Sequence, residues 1–215
     1  MEEQRETCDD VLALAASWYE GKTFSTDWTS EHFQLWATLL KRYRDIAVRV
    51  IEVGSLEGRS ALFFLNYLRQ AHLVCIDVFD VGDDSPPVLA SWGIDLRNFD
   101  PDVESRFDAN VASFRERVQK IRAPSNLALA ELGIEARRFD IAYIDGSHLS
   151  VDVYSDAVLM WPMMATAGII IFDDYEWPNE KPGARPKLGI DCFLRAFEGQ
   201  YRVLHRAYQV AIEKL

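Results

Sequence analysis

Apolar positions along the chain change their period several times, and each change marks an element. Val11, Leu12, Leu14, Ala15 and Trp18 recur at helical spacing over 8–19, and Gly21 ends the run. Phe33, Trp36, Leu39 and Leu40 share one face of a second predicted helix, running from a cap at Thr29 or Ser30 to about Arg44. From 47 the texture turns β-branched: 47–53 reads as a strand, Gly54–Ser60 as a glycine turn, 61–70 as a helix and 73–79 as a second strand. A long connection over 80–102 leads to a predicted helix over 103–121, a short segment near 120–122, and a helix over 127–132 for which Ser125 is the candidate cap. Two continuous apolar runs, 139–144 and 168–172, enclose a helix over about 151–160. After a helix near 190–197, the alternating runs 201–205 and 208–212 lie three residues apart and predict a hairpin.

Strands alternating with helices predict an α/β fold: a doubly wound, Rossmann-like, mostly parallel sheet with helices on both faces. The terminal hairpin adds an antiparallel edge. We expect a single domain over 1–215, in which 1–45 form an N-terminal helical cover and 46–215 the Rossmann-like core. The long 80–102 connection reads as a lid or substrate wall, since loops of this length inside compact domains carry function.

Composition narrows the function classes. At 215 residues and 49% hydrophobic, the chain can bury an ample core. No apolar run approaches the roughly 20 residues of a membrane span, and the first residues are acidic, so a cytoplasmic protein without membrane attachment is expected. A formal net charge of -11 argues against nucleic acid as a partner, because phosphate is held by clustered Lys and Arg. Cys8, Cys75 and Cys192 have no paired spacing and suggest neither disulfides nor a zinc site. The first helix, with Trp18, is a candidate surface for a second subunit in a homo-oligomer.

The chemistry concentrates in three places. Glycines after the first strand let the backbone turn sharply beside a ligand, and Asp77, roughly 20 residues on at a second strand's end, suits ribose hydroxyls. The turn is not GxGxxG, and Glu52 ahead of it is a poor neighbour for pyrophosphate but a good one for a cation. That favours S-adenosylmethionine, whose ammonium and sulfonium are positive and which has no phosphate. The runs Phe139–Ile144 and Gly168–Phe172 each stop on carboxylates, Asp145 and Asp173–Asp174. As neighbours in a parallel sheet, these acids emerge together at its carboxyl edge with His148. Three converging carboxylates repel one another unless a cation sits among them, and a hard oxygen set suits Mg2+. His148 is then the candidate base for a substrate hydroxyl. The plainer reading, that the aspartates only cap the following turns, competes at each position alone. His32, His72 and His205 have no convergent partners in sequence and read as structural; Trp28, Tyr175 and Trp177 are loop aromatics for a pocket wall or for packing.

The run Ile51–Ser60, Asp77, the Phe-Asp-Ile-Ala-Tyr-Ile-Asp-Gly-Ser-His stretch over 139–148 and the Gly-Ile-Ile-Ile-Phe-Asp-Asp-Tyr stretch over 168–175 together resemble the class I S-adenosylmethionine-dependent methyltransferases. Within them the chain is similar to the macrolide-sugar and cephalosporin-pathway O-methyltransferases, and more distantly to catechol O-methyltransferase. The resemblance implies that Glu52, Gly54, Ser55 and Gly58 frame the methionine end of the cofactor, with Ser60 beside them at the helix start. It implies Asp77 on the ribose, Ser125 near the adenine, and Asp145 beside the cofactor as well as on the metal. Asp145, Asp173 and Asp174 match metal-binding carboxylates and His148 the proposed base, where the catechol enzyme has a lysine. Leu56 stands where the middle glycine of GxGxG would be. The expected function is Mg2+-dependent O-methylation of a small-molecule hydroxyl. A metal-independent O- or N-methyltransferase, and a non-catalytic cofactor-binding protein of the same fold, are the alternatives.

Overall fold

The computed structural model describes residues 8–80, 102–178 and 183–215. Seven strands form one sheet: β1 (Ala47–Val53), β2 (Gln70–Asp77), β3 (Val118–Arg122), β4 (Phe139–Ile144), β5 (Met164–Phe172), β6 (Tyr201–Arg206) and β7 (Val210–Lys214), in the order β3-β2-β1-β4-β5-β7-β6. The first five run parallel; β7 pairs antiparallel with β5 and with β6, giving the expected hairpin at the edge. Among the described residues seven α-helices accompany the sheet: α1 (Cys8–Trp18), α2 (Phe33–Leu40), α3 (Arg59–Tyr67), α4 (Val103–Val111), α5 (Ser125–Ile134), α6 (Ser150–Met160) and α7 (Pro186–Ala196).

The central strands are mainly apolar because both sheet faces are covered, and alternate residues serve opposite cores. Val50, Ile141, Tyr143, Ile169 and Ile171 pack under α1–α4, while Ile51, Val53, Ala142, Ile144, Ile170 and Phe172 pack under α5–α7. The N-terminal helices belong to the first of these cores. Trp36 is fully buried, stacks on Phe64 and meets Tyr143 edge-on at 5.0 Å, and its indole N–H donates to Gln209 in the hairpin turn. Trp18 packs edge-on against Phe63 at 5.9 Å.

Several boundaries differ from the sequence reading. The helix expected over 103–121 stops at Val111; a 3-10 stretch, Ala112–Arg117, follows, and 118–122 become β3, paired with β2. Half-exposed edge strands carry weak alternation, which hid β3 inside a helical pattern. β2 begins at Gln70 rather than 73, so α3 ends earlier. Ser125 is the first residue of α5, not its cap; Pro124 occupies the cap position, with no side-chain capping bond. Thr29 makes no capping bond either, because Asp27 reaches the Ser30 N–H at 3.0 Å and the first turn is 3-10. The lid expected over 80–102 falls almost wholly outside the described residues.

No helix among the described residues is long and apolar enough to cross a membrane. The sheet order reverses at β1, from which the chain goes outward to β2 and β3 on one side and returns to β4 on the other. Open α/β sheets bind ligands at such a reversal, beyond the carboxyl ends of the strands.

Candidate active site

Strand register brings the chemistry to one line. Val53 pairs with both Ile76 and Ile144, and Ile144 with Phe172, so the residues that follow, Gly54, Asp77, Asp145 and Asp173, leave the sheet side by side. A cavity of about 990 Å³ opens above them. Gly54, Asp77, Ser125, Asp145, His148, Asp173 and Asp174 all line it, with Trp28, Trp177 and Tyr208.

Gly54 is required by the approach of two strands. Its φ is +86°, and a Cβ there would lie 1.9 Å from the Asp145 carbonyl oxygen. Leu56 has a left-handed φ of +43°, an uncommon conformation for a side chain of its size. Asp77 holds this turn: one of its oxygens accepts the N–H groups of Ser55 and Leu56, both at 2.8 Å, and the other accepts that of Phe79. Each carboxylate oxygen has two lone pairs, so Asp77 keeps acceptor capacity toward the cavity.

Not all of the predicted cofactor residues reach the cavity. Glu52 is completely buried beneath the turn, where Ser55 donates to it at 2.7 Å and Cys75 lies at 3.6 Å. Burial pushes its carboxyl up to about 7, with the Ser60 and Ser55 hydroxyls pulling the other way. Glu52, Ser55, Gly58 and Ser60 thus form the floor behind the lining rather than the lining itself. Gly58, at φ +82°, packs against Phe107 and starts α3.

The acidic side is more crowded than its sequence suggested. The Tyr143 hydroxyl lies between Asp145 and Asp173, 2.9 Å from the former and in short contact with the latter. One hydroxyl has one proton to donate, so it cannot serve two carboxylates at once. Burial, then the charges of Asp173 and Asp174, drive the Asp145 carboxyl well above the usual carboxylate range. Burial and Asp174 raise Asp173 to about 6. Asp174, at a left-handed φ of +57°, accepts the Tyr208 hydroxyl at 2.6 Å and meets His148 Nε2 at 2.9 Å. His148 itself stacks on Trp177 at 4.4 Å.

Tyr143 and Tyr208 were missed in the sequence. A tyrosine in an otherwise apolar central strand was the available signal for the first, since a buried hydroxyl needs a partner. Nothing local pointed to Tyr208, which reaches the site because β7 pairs with β5. His32, read as structural, stacks on Tyr208 at 5.8 Å. Tyr175 does not line the cavity; its hydroxyl bonds to Asp191 and Lys187.

As placed, no three of these side chains form a metal-binding group among the described residues; they turn onto Tyr143, Tyr208 and His148 instead. By donor chemistry they fit a hard divalent cation, because buried, mutually repelling oxygens are what such an ion neutralises.

Comparisons with known proteins agree with this geometry. The profile of a family described as a methyltransferase domain matches residues 51–175, from β1 through both carboxylate-ended strands. No curated protein matches by sequence. Among solved structures, the MycE methyltransferase of the mycinamycin biosynthetic pathway, in complex with Mg, SAH and mycinamycin VI, superposes with a TM-score of 0.63 at 18% identity. The match covers 95% of this chain but 54% of that one, so the chain spans about half the length of MycE. The O-methyltransferase NovP gives 0.64 at 18% identity, covering 96% of this chain and 97% of NovP. An O-methyltransferase from Bacillus cereus in complex with SAH gives 0.62 at 15% identity, covering 100% and 93%. With the profile spanning more than half of its length and the fold shared with these enzymes, the chain belongs to the methyltransferase domain family, within the class I S-adenosylmethionine-dependent methyltransferases.

Proposed function

We propose that this chain transfers the methyl group of S-adenosylmethionine to a hydroxyl of a small-molecule acceptor, and that Asp145, Asp173 and Asp174 hold Mg2+ beside it. One observation carries the reading: three carboxylates and His148 face the same cavity as the Gly54 turn and Asp77. On this reading Gly54 gives the cofactor close access to the backbone, and Asp77 accepts from its ribose. The acceptor enters on the side of Trp28, Trp177 and Tyr208. Bound there, Mg2+ would lower the pKa of an acceptor hydroxyl.

The protein's own groups supply the rest. Asp174 facing Nε2 of His148 orients the imidazole, leaving Nδ1 to take the acceptor's proton and stabilising the imidazolium that results. Stacking on Trp177 limits the ring's freedom. Transfer then proceeds by holding the nucleophile in line with the methyl group, where orientation supplies much of the rate. Apart from His148, the described lining has carboxylates on every side and neither lysine nor arginine, which favours neutral or cationic acceptors over anionic ones. MycE and NovP, with which the fold is shared, are named for methylation, MycE with a mycinamycin bound.

The test is transfer of labelled methyl from S-adenosylmethionine onto a panel of hydroxylated compounds, with Mg2+ and with EDTA. The proposal expects labelled ether products that EDTA abolishes. Undiminished transfer in EDTA would leave the His148–Asp174 pair as the sole activating device, and no transfer to any hydroxyl would remove the O-methyltransferase reading.

A further inference from the structure

His148 has the task of a base but little in its own segment to hold it. It lies in the loop between β4 and α6, and its side chain is 38% exposed. Two contacts fix its ring: Asp174 at 2.9 Å from Nε2, and the Trp177 indole stacked at 4.4 Å. Both come from the turn after β5. Within that turn Asp174 stands at a left-handed φ of +57°, and its carbonyl accepts the Trp177 N–H at 3.0 Å, so carboxylate and indole are parts of one unit.

The hairpin beside it anchors this turn. Tyr208 lies between β6 and β7 and holds the turn at two points: its carbonyl accepts the Tyr175 N–H at 2.8 Å, and its hydroxyl donates to Asp174 Oδ1 at 2.6 Å. Tyr208 is itself braced. Its ring stacks on His32 at 5.8 Å, and the next residue, Gln209, is buried and accepts the Trp36 indole N–H at 2.8 Å. A carboxylate with one oxygen tied to a braced phenol has its other oxygen aimed, whereas one without that tie turns about its χ angles.

We propose that Tyr208 is a positioning residue of this site: its hydroxyl fixes Asp174 so that the second carboxylate oxygen holds Nε2 of His148 and leaves Nδ1 for the acceptor. The inference rests on the reading of His148 as the base. Tyr208 also lines the cavity, so the competing role is direct contact with the acceptor. The two roles differ in what they do to His148 when nothing is bound. Removing an acceptor contact leaves the imidazole as it is, whereas removing a positioning bond releases it.

The experiment is nitrogen-15 NMR of the histidine side chains in the whole chain and in Tyr208→Phe, at mildly alkaline pH where imidazole is neutral. His148→Ala assigns the His148 signals, and thermal melting establishes that each protein is folded. The wild type is expected to show a His148 Nε2–H proton protected from exchange with water, and Tyr208→Phe to lose it. Methyl transfer from S-adenosylmethionine is then measured on the hydroxylated panel compound that the wild type turns over fastest. Tyr208→Phe is expected to lower kcat by about tenfold or more with KM within about threefold, and to lower it no further in the His148→Ala background. A protected Nε2–H that survives in folded Tyr208→Phe overturns the inference while leaving the base reading intact. So does a loss of turnover that adds in full to that of His148→Ala, the signature of an acceptor contact. A wild type without a protected Nε2–H overturns it with no variant needed. A wild type that methylates no hydroxyl removes the base reading, and the inference with it.

Discussion

Replacing Gly54 by alanine tests whether β1 and β4 must close to backbone contact for the site to exist. The added Cβ would sit 1.9 Å from the Asp145 oxygen and 2.7 Å from the Gly146 Cα. Both are backbone atoms, so no rotamer change relieves the clash, and the strand ends must part by about 1 Å. Parting them weakens the bond from Asp145 N–H to Val53 at 2.8 Å, and displacing Gly54 distorts the bond from its own N–H to Ile76 of β2 at 2.9 Å. Each is worth about 1 kcal/mol, and holding alanine at a positive φ adds about 1 kcal/mol more. The expected loss is therefore about 3 kcal/mol, or roughly 6 to 12 °C in Tm for a chain of this size. Gly199→Ala is the control: its φ of +83° is just as unfavourable, but nothing lies within 4 Å of its Cβ position, so about 1 kcal/mol is expected. Urea unfolding measures both. A Gly54→Ala protein that unfolds within about 0.5 kcal/mol of Gly199→Ala would refute the close-approach argument.

Three other perturbations address the floor, the base and the acidic side. Glu52 has a carboxyl raised in the fold to about 7, so the native state binds its proton more tightly than the unfolded chain does. Stability should therefore fall as pH rises through about 4.5 to 7, by at most about 3 kcal/mol, and Glu52→Gln should lack that decline in melting curves across this window. A decline of equal size in the variant would assign it elsewhere. His148→Ala should lower turnover by about 10²-fold or more while S-adenosylhomocysteine affinity stays within about threefold; parallel losses of both would make His148 a binding residue. Tyr143→Phe removes the proton shared between Asp145 and Asp173 and should cost about 1–3 kcal/mol without divalent ion. Thermal melts should show that deficit shrinking in Mg2+, and a deficit indifferent to Mg2+ would count against a cation among these carboxylates.

The sheet and the cavity floor were legible because both depend on local signals. Continuous apolar runs ending on Asp145 and Asp173, and a glycine turn after β1, have few structural readings other than a buried parallel sheet with acids at its edge. β3 was obscured because an edge strand exposed to water has no strong apolar period, and Val118–Arg122 merges into the preceding helical pattern. Glu52 was correctly placed near the turn in sequence, but which side of the turn its side chain takes follows from three-dimensional packing: Ser55, Ser60 and Cys75 draw it beneath the backbone. Tyr143 and Tyr208 depend on strand pairing: Tyr143 meets Asp173 because β4 lies against β5, and Tyr208 meets Asp174 because β7 does.

The account depends most on the cavity above Gly54 and Asp77 being a cofactor site. Calorimetric titration of S-adenosylhomocysteine into the purified protein tests this directly. One molecule bound per chain, with affinity strongly reduced in Asp77→Ala, is the predicted result. No heat of binding to the folded wild-type protein, or binding unaffected by Asp77→Ala, would contradict it.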